Sequence, residues 1–356
     1  MWRAAFALLL LGSVASAEMP QFVMPDEKPP TGAEIQLGRK LFNSTLLSLD
    51  NTISCATCHN DESSGADGNV LAIGIGGQVG IRNTPTVFDM FPAKGEKVAH
   101  CFRDARTLGL ATQSLEPIIN PVEMGNQREE DVLAKEFNDP EIHDAFFALY
   151  GDGAFTSTNR PITRNVGTRR RSQTVTVGNQ RIDHVRREAH ARVIVAFESV
   201  LITPHDSPYD QYVGGDLRAM SSLAVEGMHL FDSCNCSKCH TEPLFKDGYS
   251  HNNGMAFASI GFQAIGDGQQ RRFMTANLRR AAQTPPYAFN GSFDTLERCI
   301  EHYNAGAYVA AVGGGSTRDP NIDPLIQPLN LSDRQKQALK AFIVALAPRT
   351  SPKIQD

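Results

Sequence analysis

Two segments of the sequence carry the same arrangement of cysteine and histidine. Both read C-x-x-C-H, and their residues are Cys55, Cys58 and His59 in the first segment and Cys236, Cys239 and His240 in the second. In this spacing two thiols can form thioether bonds with the vinyl groups of one haem, and the adjacent histidine can bind its iron. A zinc site would require two further cysteine or histidine ligands at short spacing. The sequence therefore predicts two covalently bound haem c groups.

Three cysteines lie outside these motifs, which is an odd number. Cys101, Cys234 and Cys299 could form one disulfide and leave one free thiol. Disulfides are the usual role of cysteine in exported proteins, but the sequence does not select a pairing.

The N-terminus has the pattern of a secretory signal peptide over residues 1–17. Arg3 precedes an apolar run over 4–14, and Ala15-Ser16-Ala17 fits the A-x-A cleavage rule. The apolar run is too short to span a bilayer. We expect cleavage after Ala17, export to the periplasm and a mature chain that lacks Trp2, the only tryptophan.

The composition is that of a globular protein rather than a disordered one. Of the 356 residues, 41% are apolar and 21% are charged, which supports a sizeable core and two domains of common size. The formal net charge of −5 argues against general nucleic-acid binding. No segment after the signal peptide is long and apolar enough for a transmembrane helix. We therefore expect neither nucleic acid as a partner nor membrane insertion.

Apolar residues at helical spacing lead into both haem motifs. Helices are predicted over 33–42 and 221–231, and both end in a similar Gly-x-x-Leu-Phe sequence. The repetition indicates a duplication, with an N-terminal haem domain over 18–182 and a C-terminal haem domain over 183–356. Further helices are predicted over 129–137, 142–150, 183–201, 296–303 and 332–346, the last with Ser332 and Gln335 as a capping box. Because the clearest strand is Thr174–Val177, the predicted fold class is mostly α, with two cytochrome c-like domains and long loops around the haems.

The segment from Arg160 to Arg192 is unusually basic. It holds nine arginines and two acidic residues, and it includes Arg169, Arg170 and Arg171 in succession. Two interpretations are open. The segment is a solvated loop followed by one helix face, or it is a patch that docks an acidic partner or haem propionates.

Five further segments carry recognisable motifs, among them Asn-Pro-Val-Glu-Met-Gly; they are 77–87, 120–125, 196–204, 301–304 and 328–332. Together they resemble the bacterial di-haem cytochrome c peroxidases and their MauG-like relatives. The resemblance extends from Gly38 to Leu346, nearly the whole mature chain. It implies two cytochrome c-like domains, a peroxide-reactive haem in the first, an electron-transfer haem in the second, and hydrogen peroxide as a substrate.

The resemblance also assigns roles around the peroxide-reactive haem. A haem peroxidase needs an open iron position and a base that moves a proton between the two peroxide oxygens. Glu123 matches the family's catalytic glutamate, Gln113 falls at a distal polar position, and Pro117 matches a residue that shapes the distal pocket.

Two departures from the conventional peroxidases concern the iron ligands. Ile75 stands where peroxidases with a switchable first haem carry a histidine, so we expect this haem to be five-coordinate without reductive activation. Ala288 stands where the conventional enzymes carry a methionine ligand of the second haem, and MauG-like enzymes use a tyrosine at that haem. Tyr287 is the nearest candidate ligand, and Tyr303 and Tyr308 are the alternatives.

Two further positions belong to family sites between the haems. Arg103 replaces the inter-haem tryptophan, so electron transfer must use a tyrosine or pass directly between the haems. The family also binds Ca²⁺ between its domains. This implies Asn83 as a side-chain ligand and carbonyl ligands near Gln269 and Arg271.

Three functions remain open at this point. The leading hypothesis is a MauG-type enzyme in which peroxide oxidises the first haem and the second haem stores an equivalent as high-valent iron. The final substrate is then an aromatic side chain, such as Trp, on a periplasmic protein with an acidic face. The alternative is a conventional peroxidase that reduces peroxide with electrons from a small cytochrome or cupredoxin. A non-enzymatic electron carrier would need two six-coordinate haems and would leave Glu123 without a role.

Overall fold

The computed structural model describes residue 24 and residues 28–60, 64–90, 98–168, 171–255, 271–310 and 315–350; the predicted signal peptide lies outside these ranges. The described part is mostly helical, as the sequence predicts. Its helices are α1 (Gly32–Asn43), α2 (Cys55–Cys58), α3 (Leu110–Gln113), α4 (Glu116–Ile119), α5 (Glu129–Asn138), α6 (Pro140–Tyr150), α7 (Arg187–Glu198), α8 (Pro208–Val213), α9 (Ser222–Ser233), α10 (Leu296–Asn304) and α11 (Asp333–Ala345). None of them combines the length and hydrophobicity that a bilayer crossing requires.

The described strands form antiparallel pairs. They are β1 (His100–Cys101) with β2 (Thr107–Leu108), β3 (Phe155–Thr168) with β4 (Arg171–Val185), β5 (Ser250–His251) with β6 (Phe273–Met274), and β7 (Val309–Ala310) with β8 (Ser316–Thr317). In three of these pairs each strand is only two residues long. Helices therefore make up most of the regular structure of the described residues.

Local capping explains where the first and last helices begin. Ser332 and Gln335 form the predicted capping box, with the Ser332 amide donating to Gln335 Oε1 at 2.9 Å and the Gln335 amide donating to Ser332 Oγ at 3.4 Å. Thr31 and Glu34 form the same box on α1, at 2.7 Å and 3.2 Å. A cap of this kind contributes about 1 kcal/mol to helix stability.

The two helices that lead into the haem motifs pack in the same way. α1 crosses α7 at Gly38, where an added Cβ would lie 1.9 Å from the carbonyl oxygen of Val193. α9 crosses α11 at Gly227, where an added Cβ would lie 1.9 Å from the carbonyl oxygen of Ala338. Both close approaches depend on the missing side chain of glycine. The repeated geometry supports a duplicated origin for the two halves.

Two apolar cores lie beside these helix pairs. The N-terminal core draws on α1, α4, α5, α6 and α7, and the C-terminal core draws on α8, α9, α10 and α11. Val185, Val193 and Ile194 belong to the N-terminal core, although they lie beyond the boundary expected between 182 and 183. α7 therefore packs into the N-terminal core, and the second core begins at Tyr209.

Most of the arginine-rich segment belongs to a long pair of antiparallel strands, whereas one of the two interpretations of the sequence was a solvated loop followed by a helix face. β3 and β4 pair continuously from Phe155 opposite Val185 to Thr168 opposite Arg171, with one register shift. The strand predicted over 174–177 is part of β4. Arg169 and Arg170 follow β3 in sequence and lie outside the described residues.

The helix predicted over 183–201 is wrong at both ends. α7 runs only from Arg187 to Glu198, because residues 183–185 still pair with β3. The apolar spacing after 183 suits a helix. The backbone N–H and C=O groups of residues 183–185 instead form their hydrogen bonds with β3, so the helix begins only after them. The hairpin lacks a clear apolar face, since most of its described side chains are exposed, and this removes the usual strand signal.

Candidate active site

The first haem motif is a single helical turn that holds its cysteines together. α2 runs from Cys55 to Cys58, and His59 follows it directly. Nδ1 of His59 lies 3.2 Å from the carbonyl oxygen of Gly65 and 3.1 Å from that of Pro85. Two carbonyl acceptors place the proton on Nδ1, which leaves the lone pair of Nε2 for an iron atom.

The second motif repeats this arrangement with a different turn. Cys236–Lys238 form one turn of 3₁₀-helix, and Nδ1 of His240 lies 2.9 Å from the carbonyl oxygen of Phe245 and 3.1 Å from that of Ala276. Burial lowers the pKa of both motif histidines, so both are held neutral. A neutral imidazole with a fixed tautomer is the form that binds a metal.

A cavity of about 350 Å³ opens beside the second motif. Cys236, Cys239 and His240 line it together with mainly apolar side chains. Two thiols, an imidazole nitrogen with a free lone pair and an apolar wall form the set of groups that a covalently attached haem requires. The residues present therefore fit a haem at this position.

Two of the three candidate tyrosines reach this cavity. Tyr287 and Tyr303 line it, whereas Tyr308 is 44% exposed and is not part of its wall. Tyr303 lies on α10 and packs against Met255 and Phe289. The cavity therefore retains two phenol groups as possible axial ligands.

The surroundings distinguish these two phenols. Burial is the main factor that raises the pKa of both Tyr287 and Tyr303. Only Tyr303 lies close enough to Cys236 and Cys239 for their charges to contribute to this rise. The two phenols therefore differ in their charged neighbours, since the charges that act on Tyr287 come from Cys299 and Glu297.

Three methionines that the sequence pattern does not mark, Met90, Met255 and Met274, also line the cavity, as does Ala288. Met255 is buried, and its sulfur accepts a hydrogen bond from Nδ2 of Asn253 at 3.4 Å. Met274 belongs to β6 and lies in the same wall. A thioether is a common haem ligand, but none of these positions follows a local motif, so only the tertiary structure identifies them.

The loop that carries Ile75 packs directly on the loop that carries Glu123. The amide of Ile75 donates to the carbonyl oxygen of Glu123 at 2.9 Å. A Cβ added to Gly74 would lie 1.9 Å from the carbonyl oxygen of Val122, so glycine permits the close approach. The side chain of Ile75 is buried and has no atom that can bind iron.

The carboxylate of Glu123 is oriented by its neighbour in the same motif. Nδ2 of Asn120 donates to Oε1 of Glu123 at 2.8 Å, and Oδ1 of Asn120 accepts from the amide of Val122 at 2.9 Å. Burial raises the pKa of Glu123, and the charges of Arg106 and Arg82 partly oppose this. A carboxylate with a raised pKa is well matched to accepting and returning a proton near neutral pH.

Glu123 lies beside the first haem motif. Burial is the main cause of the raised pKa of Cys58, and the charge of Glu123 adds to it. Gln113 ends α3 and Pro117 lies in the first turn of α4, both partly buried. No hydrogen bond joins Gln113 to Glu123 in the described chain. The side chain that does donate a hydrogen bond to Glu123 is Asn120, the first residue of the same Asn-Pro-Val-Glu-Met-Gly motif.

Asn83, the predicted calcium ligand, contacts an arginine. Nη2 of Arg103 donates to Oδ1 of Asn83 at 2.8 Å, and Nε donates to its carbonyl oxygen at 3.3 Å. Burial lowers the pKa of Arg103 to about 10, which leaves the guanidinium charged at pH 7. Gln269 lies outside the described residues, and the side chain of Arg271 pairs with Asp319 at 3.2 Å. Among the residues that the structure describes, those around Asn83 therefore do not fit a calcium ion.

The three remaining cysteines form no disulfide. Cys101 is buried, and Cys234 and Cys299 line the cavity beside the second haem motif. All three are present as thiols in this structure.

The comparison with protein families gives a direct match. The family model described as di-haem cytochrome c peroxidase matches residues 32–218, which is more than half of the chain. The matched region includes the first haem motif, the Ile75 loop and Glu123.

Individual relatives agree with this match. The chain is 30% identical over 290 residues to cytochrome c peroxidase Ccp of Escherichia coli, covering 78% of this chain and about half (54%) of that protein. It is 28% identical over 375 residues to the methylamine utilization protein MauG of Paracoccus denitrificans, covering 90% of each. The solved structure of a MauG-like protein associated with microbial copper homeostasis has the same fold, with a TM-score of 0.73, 22% identity and 98% coverage of both chains. The chain therefore belongs to the di-haem cytochrome c peroxidase family, whose members are haem-dependent oxidoreductases that act on hydrogen peroxide.

Proposed function

We propose that this chain is an exported, periplasmic di-haem enzyme of the MauG type, which uses hydrogen peroxide to oxidise an aromatic side chain, such as Trp, of a partner protein. The observation that carries this proposal is the packing of buried Ile75 against the Glu123 loop. Where a switchable peroxidase has a histidine, this chain has an apolar side chain, and its main chain is bonded to the residue that carries the candidate base. Peroxide can then reach the first haem site without prior reduction of the protein.

Glu123 is the base in this proposal. Asn120 holds Oε1, so Oε2 would be the atom that accepts a proton from one of the two peroxide oxygens. The same carboxyl group would return this proton to the other peroxide oxygen, so that water could leave when a bound haem supplies the two electrons for cleavage of the O–O bond. The haem held by His59 supplies the redox chemistry when it is bound. Gln113 and Pro117 shape the pocket around the carboxylate.

Tyr303 holds the second haem in this proposal, in preference to Tyr287. The support is its place on α10 in the cavity wall and the electrostatic influence that Cys236 and Cys239 have on it. A phenolate is anionic and stabilises oxidised iron more than a neutral thioether does. Such a ligand suits a site that must keep an oxidising equivalent until a large substrate docks.

The hairpin of β3 and β4 is the proposed docking arm for an acidic partner. A folded protein cannot enter a haem pocket, so its side chain must be oxidised by electron transfer across an interface. Arg160, Arg181, Arg187 and Arg192 already form ion pairs with Asp131, Asp183, Glu129 and Glu34. We therefore assign docking to the run of three consecutive arginines, Arg169, Arg170 and Arg171, of which the first two lie outside the described residues.

A conventional peroxidase is the second candidate, with electrons supplied by a small cytochrome or cupredoxin. The observation that favours it is the presence of Met255 and Met274 in the wall of the second cavity. A methionine ligand would raise the potential of that haem and suit it to accept electrons from a soluble donor.

The reaction of the ferric holoenzyme with one equivalent of peroxide, without an electron donor, separates the two candidates. We expect an immediate change in the absorption spectra of both haems. A protein that reacts only after one haem is reduced, and then turns over rapidly with reduced cytochrome c, would be a conventional peroxidase. Single-turnover assays with candidate periplasmic proteins would then identify the substrate by mass change.

A further inference from the structure

The pair of Asn83 and Arg103 lies between the two haem sites. Asn83 is two residues before Pro85, whose carbonyl oxygen accepts from His59 of the first motif. Arg103 lines the cavity beside the second motif. On one side, Asn83 is therefore two residues away from a hydrogen-bond partner of His59. On the other side, Arg103 lies in the wall of the haem cavity.

Main-chain hydrogen bonds tie this pair to the C-terminal half. The amide of Asn83 donates to the carbonyl oxygen of Phe289 at 2.8 Å, and the amide of Met274 donates to the carbonyl oxygen of Arg103 at 2.7 Å. Phe289 in turn stacks on Phe273, the residue before Met274, with ring centroids 4.4 Å apart. These contacts form a closed ring that joins both halves of the chain around the guanidinium.

The oxygen atoms of Asn83 are committed to this guanidinium. Both accept from Arg103, and the side-chain amide of Asn83 donates to the carbonyl oxygen of Asn69 at 2.8 Å. A calcium ion requires six to eight oxygen ligands at about 2.3–2.6 Å. A guanidinium placed at hydrogen-bond distance from two of them occupies the same electrostatic position and excludes the ion.

We propose that Arg103 is a built-in cation that joins the two haem sites, in place of a dissociable Ca²⁺. The positive charge between the halves then belongs to the chain and cannot be lost by chelation. A planar fork also fixes the direction of its hydrogen bonds, which a spherical ion does not. This inference does not depend on the proposed function, because it concerns metal content and stability rather than the fate of peroxide.

The first test uses the wild-type holoenzyme. The protein is purified with Ca²⁺, dialysed against calcium-free buffer and assayed for calcium by mass spectrometry, and its Tm and haem spectra are recorded with and without EGTA. We expect neither the Tm nor the spectra to respond to EGTA. Calcium whose removal lowers the Tm or alters either haem spectrum would overturn the proposal. If calcium is bound but its removal changes neither the Tm nor the haem spectra, the ion lies elsewhere and the proposal for Arg103 is supported.

The second test changes the charge at this position. Arg103→Gln should lower the Tm and lower the reduction potential of the C-terminal haem, because a cation in the cavity wall favours the reduced iron. Arg103→Lys keeps the charge and should retain most of the wild-type potential. Arg181→Gln, on the exposed hairpin, is the control for removing an arginine elsewhere. A wild-type reduction potential in Arg103→Gln would overturn the proposal. If this variant does not assemble, the calcium measurement on the wild-type protein decides whether the proposal holds.

Discussion

Glu123 combines two properties that a proton-transfer residue needs, a fixed orientation and a pKa above its ordinary range. The orientation comes from Asn120, which is itself fixed by the amide of Val122. The raised pKa comes from burial, in spite of Arg82 and Arg106 nearby. The balance between burial and these cations is therefore the quantity that sets the working pH of the site.

Glu123→Gln tests this role. The amide keeps the shape of the side chain but cannot accept a proton, so the reaction with peroxide should slow by about 10²–10⁴-fold while both haems remain attached. In the wild-type protein the carboxylate is the active form. The rate should therefore fall as the pH drops through the raised pKa, and the variant should lack this fall. Stopped-flow absorption across the acidic to neutral range measures both effects.

Glu116→Gln is a matched control for this experiment, because Glu116 is a nearby carboxylate whose hydrogen bond is to Thr107 at 2.6 Å. It should retain the wild-type rate at neutral pH, with a pH profile displaced to lower pH, because the charge of Glu116 contributes to the raised pKa of Glu123. A wild-type rate in Glu123→Gln would remove Glu123 from the mechanism.

The ligand of the second haem is a separate prediction at the same scale. Tyr303→Phe should change the low-spin spectrum of this haem, because the phenolate oxygen is lost. Tyr308→Phe is the control, since this ring is exposed and outside the cavity wall. Absorption and electron paramagnetic resonance spectra of the ferric proteins provide the readout. If only Tyr287→Phe or Met255→Leu alters the spectrum, the ligand is that residue instead.

The helices depend on close crossings at two glycines. Gly38→Ala should destabilise the protein by about 1–3 kcal/mol, because the added methyl group meets the carbonyl oxygen of Val193 and the two helices must separate. Gly32→Ala in the same helix is the control, since its Cβ would meet no atom within 4 Å. Thermal unfolding of the holoenzyme compares the two. Equal Tm values would show that α1 and α7 can shift apart without cost.

The sequence predicts some elements far better than others, for identifiable reasons. Helices with an apolar stripe and a cap, such as the one that begins after Ser332, are local features and are found with nearly the expected bounds. The hairpin has no apolar face and is held by pairing between distant residues. A helix was therefore predicted from Asp183, where the second strand still continues.

The same distinction applies to the site. The two haem motifs are local patterns, and their spacing alone identifies the attached group. The contact of Asn83 with Arg103, the entry of Met255 into the cavity and the closeness of Tyr303 to the second motif all depend on how loops fold back. No short pattern contains this information, so the ligand of the second haem could not be chosen from the sequence.

At the scale of the molecule, buried polar contacts join the two halves. The carboxylate of Asp89 accepts from the amide of Thr203 at 2.8 Å and from Nδ2 of Asn277 at 2.7 Å. Asp89 and Thr203 are fully buried. Since breaking a buried, satisfied network is costly, the two haem sites are expected to keep a fixed separation during electron transfer.

The charge distribution predicts how the enzyme meets its substrate. Replacing Arg169, Arg170 and Arg171 with Ala should slow the oxidation of the protein substrate but leave the reaction of the haem with peroxide unchanged. Charges at an interface rim mainly set the association rate and are screened over about 8 Å at physiological ionic strength. Wild-type turnover should therefore slow as salt rises, and the variant should respond less. Normal turnover by the triple variant at low salt would contradict a docking role.

The proposed reaction with peroxide requires a first haem site with a proximal histidine, a nearby base and no distal protein ligand. Electron paramagnetic resonance of the ferric holoenzyme, as isolated, tests this most directly. We predict one high-spin signal from the haem at His59, because Ile75 cannot bind iron, and one low-spin signal from the haem at His240. Two low-spin signals would contradict the account, since another side chain would then close the position where peroxide must bind.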